Sequence, residues 1–119
     1  MNVSRVSQAT NPQPSIVRLE GEWDLARQPE LHSRLLPMHD VEHVVLDFTG
    51  SDYVDSSLLT VLVGLRKRRR ENGLPPVRLA IPSTNVRRLF SITKLDTVWP
   101  IFASLDEAVQ SFETAPEPI

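Results

Sequence analysis

The run Val44-Val45-Leu46-Asp47-Phe48, followed closely by Tyr53-Val54-Asp55-Ser56-Ser57-Leu58, decides how this chain folds. An apolar stretch broken only by Asp47 suits a central strand covered on both faces. From Ser56 onward, Leu58, Val61, Leu62 and Leu65 recur at i, i+3, i+4 and i+7, the stripe of a helix that crosses back over such a sheet. Asn72-Gly73, then Pro75 and Pro76, end it. Asp55 is therefore predicted at the helix cap, with Ser56 and Ser57 in the first turn, where unpaired N–H groups point. A hydroxyl at Ser56 is within reach of a kinase, and the helix end tolerates a phosphate there.

Outward from this centre the pattern repeats. Ser15 to Gly21 reads as a strand with Val17 and Leu19 on one face, and Val3 and Val6 mark a weaker first strand that pairs with it as a hairpin. Pro29 opens a short helix carrying Leu31, Leu35 and Leu36, which Pro37 limits. Val77 to Ile81 is a further strand, and Pro82-Ser83-Thr84 leads into a helix with Val86, Leu89 and Phe90 directed inward. Val98 to Phe102 makes an edge strand, because Pro100 interrupts the ladder. Ser104-Leu105-Asp106-Glu107 is a capping box ahead of Ala108, Val109 and Phe112, and the tail from Thr114 is loose. The expected architecture is α/β: one domain over residues 1–119 with its core at about 15–112, a mixed sheet of four to five strands, and about four helices packed against it.

A chain of 119 residues with 40% hydrophobic and 24% charged residues fits a single core. It has no cysteine, which excludes disulfides, thiolate metal sites and a cysteine nucleophile. A formal net charge of -2 gives no overall pull toward nucleic acid. The run Arg66-Lys67-Arg68-Arg69-Arg70 lacks interleaved aromatics and reads as a solvated helix end whose cations complement the macrodipole. His39 and His43, beside Asp40 and Glu42, have a metal-ligand spacing only on a helix; Pro37 and the strand at Val44 make this segment a polar connection, so no metal is expected. His32 reads as a surface residue.

A hydrolase nucleophile at Ser56 would need a base and the Gly-x-Ser-x-Gly elbow, which is missing, and the four glycines are too scattered for a phosphate loop. The chain is thus expected to be non-enzymatic and without a cofactor. No apolar stretch approaches a membrane span, and the N-terminus lacks the apolar core of a secretory signal, so a cytoplasmic location without membrane insertion is expected.

Three segments together resemble the STAS domains of sulphate transporters and anti-sigma-factor antagonists, over about Ser15 to Phe112. Leu19-Glu20-Gly21-Glu22-Trp23-Asp24 is similar to the family's strand-ending Gly-Glu-Leu-Asp, Tyr53-Val54-Asp55-Ser56-Ser57 to its Asp-Ser-Ser switch, and Val86-Arg87-Arg88-Leu89-Phe90 to its late helix. The resemblance to stand-alone bacterial antagonists implies that Ser56 is phosphorylated by an anti-sigma factor with serine kinase activity. In that family the unphosphorylated antagonist binds this partner and frees the sigma factor, a partner switch that regulates transcription. It further implies a partner-binding surface of Asp24, Asp55, Ser56 and Ser57, to which Leu59 and Val63, beside the core stripe, add a contact patch. Leu58 and Thr60 stand where the family commonly has glycines, and Lys94 where a glycine often follows the late Ser or Thr. The Leu58 and Thr60 departures favour an alternative, against which the retained Asp55-Ser56-Ser57 argues: a constitutive STAS interaction subunit of a signalling or lipid-transport complex, without a phosphorylation cycle.

Overall fold

Short strands alternate with amphipathic helices through residues 13–113, the residues described by the computed structural model. In chain order these are β1 (Ser15–Arg18), β2 (Glu22–Trp23), α1 (Gln28–Leu35), β3 (Val44–Asp47), β4 (Tyr53–Val54), α2 (Ser56–Glu71), β5 (Arg78–Ala80), α3 (Thr84–Ile92), β6 (Ile101–Phe102) and α4 (Leu105–Glu113). Short 3-10 helices at Leu25–Arg27, Leu36–His39 and Leu95–Thr97 join them.

The main sheet has the order β1-β3-β5-β6, and β2 pairs with β4 in a separate two-stranded ribbon. Every pairing among the described residues is parallel. The hairpin strand expected at Val3 and Val6 and the tail from Thr114 lie outside the described residues. All four residues of β3 are buried, because helices cover both faces of the strand. Val44, Leu46 and Phe48 join the core that contains Leu31 and Leu35 of α1, Leu58, Leu62 and Leu65 of α2, and Val86 and Phe90 of α3. Val45 packs instead with Ala80 against Ala108 and Phe112 of α4. Asp47 is tolerated at the end of β3 because its carboxylate accepts the N–H and the hydroxyl of Thr49, closing the turn that follows.

Edge strand β6 is two residues long, as Pro100 dictates. Ser104 Oγ accepts the N–H of Glu107, while the Glu107 carboxylate reaches the N–H of Ala103, one residue before the position a capping box requires.

Two expectations are corrected. Leu36 does not join the apolar stripe of α1; it is 62% exposed, because the helix ends at Leu35 and a 3-10 helix with Pro37 in its first turn rotates the next side chains outward. Nor is the basic run wholly solvated. Lys67, Arg68 and Arg70 are exposed, but Arg69 is 1% exposed. It continues the stripe of Leu58, Leu62 and Leu65, and its guanidinium donates to the carbonyls of Met38, Val41, Glu42 and Pro75 at 2.5–3.1 Å. Burial lowers its pKa, and the four carbonyls satisfy the donors that water would otherwise serve.

Candidate functional site

The site is built on the β2–β4 ribbon. Its register pairs Glu22 with Tyr53 and Trp23 with Val54; the second pair is buried and the first exposed. Parallel strands end at the same rim, so the residues that follow, Asp24 and Asp55, emerge together. Asp55 N–H donates to the Trp23 carbonyl at 3.0 Å.

Both aspartates are extended and cap helical turns. Asp24 Oδ1 accepts the N–H of Ala26 at 3.1 Å. Asp55 Oδ1 accepts the N–H of Ser57 at 2.9 Å and also its hydroxyl. The two serines therefore differ in kind. Ser57 is half-buried with its hydroxyl committed to the cap, whereas Ser56 is exposed and, among the described residues, its hydroxyl has no hydrogen-bond partner. Gln28 Nε2 donates to the Ser57 carbonyl at 3.1 Å and ties the start of α1 to the first turn of α2. Thr60 Oγ1 donates back to the Ser56 carbonyl at 3.3 Å, and Leu58 is buried in the core. The two bulkier residues at the glycine positions are thus accommodated without displacing the cap.

Arg27 braces the loop that carries Asp24. Its guanidinium lies 3.6 Å from the centre of the Trp23 ring, donates to the carbonyls of Glu20 and Glu22 at 3.0 and 2.8 Å, and meets both carboxylate oxygens of Glu30 at 3.0 Å. The pairing raises the pKa of Arg27 and lowers that of Glu30. Gly21 has φ +86, and a Cβ there would sit 3.0 Å from Arg27 Nη1, so the turn before β2 admits only glycine without strain.

Of the residues expected at the site, Asp24, Asp55, Ser56 and Ser57 meet at this rim. Val63, seven residues beyond Ser56 and hence on the same face of α2, is 46% exposed. Leu59 is corrected: at 5% exposure it packs into the core cluster with its helix neighbours Leu58 and Leu62, at the buried border of the face that carries Ser56 and Val63. Two exposed apolar side chains beside this rim leave no signal in the sequence. Leu25, after the Asp24 cap, is 67% exposed, and Tyr53 is 50% exposed opposite buried Val54. A strand of two residues gives too little alternation to reveal them. His39 and His43 lie in the connection before β3, and among the described residues no three potential ligand side chains cluster around a metal position. His43 packs edge-to-face against Phe112 at 5.1 Å. Among the described residues no helix is long and apolar enough to cross a membrane.

Solved structures share this fold. The anti-sigma factor antagonist SpoIIAA in its unphosphorylated form is 21% identical, with a TM-score of 0.71 over 89% of this chain and 94% of that one. The Bacillus cell fate determinant SpoIIAA in the phosphorylated form gives 21% and 0.61 over 81% and 87%. A sulfate transporter family protein from Wolinella succinogenes gives 13% and 0.71 over 83% and 84%. At these identities the likeness is one of fold. The family model described as the STAS domain matches residues 5–108, nearly the whole chain. The chain therefore belongs to the STAS domain family.

Proposed function

We propose that this domain is an anti-sigma-factor antagonist that binds an anti-sigma factor with serine kinase activity and is switched off by phosphorylation of Ser56. The observation that carries this reading is the division of labour between the two serines: Ser57 is locked into the Asp55 cap, and Ser56 offers an uncommitted hydroxyl to solvent. The likeness to SpoIIAA, a structure known in phosphorylated and unphosphorylated forms, supports it. In this role the domain performs no chemistry; it is a kinase substrate and a ligand.

The physics of the switch follows from position. A phosphate brings about -1.5 to -2 charges to a helix end that carries roughly +0.5, so the domain stays folded when modified. Inhibition arises at the interface. Asp24, Asp55, Ser56 and Ser57 form the rim, with exposed Leu25, Tyr53 and Val63 as apolar contacts. A partner fitted to that surface meets extra volume and an anion that must be desolvated beside two carboxylates. The same reading makes the protein a cytoplasmic regulator of transcription that switches partners.

The test is a quantitative pull-down from extract of the source organism with wild-type, Ser56→Ala and Ser56→Asp baits. Recovery of a kinase-like anti-sigma factor by the first two baits and not the third supports the switch. The buried Leu58 and the Thr60 hydroxyl tied to the Ser56 carbonyl favour a second reading, a constitutive interaction subunit of a signalling or lipid-transport assembly. Equal recovery of one partner by all three baits supports that alternative.

A further inference from the structure

A groove of about 350 Å³ lies between α1 and α2, and its size falls at the lower end of the range for small-molecule sites. We propose that it binds a small carboxylic acid with a compact apolar body. Its floor is apolar, made by buried Leu35, Val61 and Leu65. Gly64 opens it: a Cβ at that position would meet nothing within 4 Å, so α2 carries a notch where any other residue would project. Leu36, the leucine that the 3-10 helix turns outward, stands at the mouth.

The polar groups select charge. Arg68 is exposed at the rim, and among the described residues its guanidinium makes no ion pair; its planar fork matches a carboxylate. His32 and His39 add imidazole donors from the α1 side. No lining residue is acidic, although acidic residues outnumber basic ones 15 to 13 in the chain. One arginine above an apolar floor suits a monoanionic acid better than a polyphosphate. The site does not depend on phosphorylation of Ser56.

The test is an amide NMR titration of the full chain with phenylbutyrate, set against phenylbutanol as the uncharged analogue. The expected result is saturable shifts around Gly64, Thr60 and His32, with binding weakened by about tenfold for the alcohol and in the Arg68→Gln variant. Gly64→Leu fills the notch and abolishes binding. Because its Cβ has room and leucine favours helix over glycine, that variant keeps the wild-type spectrum elsewhere. No saturable shift with phenylbutyrate, equal affinity for acid and alcohol, or undiminished binding in either variant overturns the proposal.

Discussion

Asp55 donates its backbone N–H to the carbonyl of Trp23 at 3.0 Å, one residue past the last pair of the β2–β4 register. This bond extends the ladder to the point where the chain turns into α2, so the position of Ser56 is set by the ribbon and by the cap together. Asp24 is fixed at the same rim by its own cap on Ala26 and by Arg27, which donates to the carbonyls of Glu20, ahead of β2, and Glu22, its first residue.

Removing the cap should weaken the domain without changing its fold. Asp55→Ala is expected to lower stability by about 0.5–2 kcal/mol, while Asp55→Asn, which can still accept the Ser57 N–H, retains most of it. Urea midpoints at unchanged m-value measure the difference. Equal midpoints for the two variants would remove the cap from the account.

Arg69 should be the costly member of the basic run. Arg69→Ala strips a donor from four carbonyls and is expected to cost more than about 3 kcal/mol, and Arg69→Lys recovers only part, since an ammonium cannot span the same acceptors. Arg70→Ala, on the exposed side, should stay within about 0.5 kcal/mol of wild type. Chemical denaturation of the three variants separates a buried clamp from a solvated helix end.

Leu59 and Val63 should part company. Leu59→Ala is expected to destabilise by about 2–5 kcal/mol as a core truncation. Val63→Ala should leave stability within about 0.5 kcal/mol and weaken binding of the partner that the pull-down recovers. Thermal melts read the first effect and titration calorimetry the second; a Val63→Ala variant with full affinity would exclude that face of α2 from the interface.

Lys94 has φ +63 at the end of the α3 region, a left-handed conformation that costs a side chain about 1 kcal/mol or more. Lys94→Gly should therefore raise stability by about 1 kcal/mol. A neutral or lower midpoint would show that the lysine side chain offsets the strain.

What was legible in the sequence was local and periodic. The apolar run of β3, the 3.6-residue stripe of α2 and the Asp-Ser-Ser cap all announce themselves over a few neighbouring residues, and each stands where expected. The rest depends on which distant segments meet. The ribbon of β2 and β4 has two residues per strand, so neither the pairing nor the exposure of Tyr53 opposite buried Val54 leaves a periodic trace. Arg69 was concealed by its charged neighbours, although its place on the stripe of Leu58, Leu62 and Leu65 carried the signal. Leu36 was misplaced because a 3-10 helix succeeds the α-helix without a polar break.

The central claim concerns what a phosphate on Ser56 does, and it is tested most directly on the domain carrying phosphoserine at that position. Its thermal midpoint and its affinity for the recovered anti-sigma factor are compared with those of the unmodified protein. The account predicts a midpoint no lower than that of the unmodified domain, because the helix end favours the anion, together with affinity weakened by at least about tenfold. A phosphoserine form that binds the partner as tightly as the unmodified domain would contradict it.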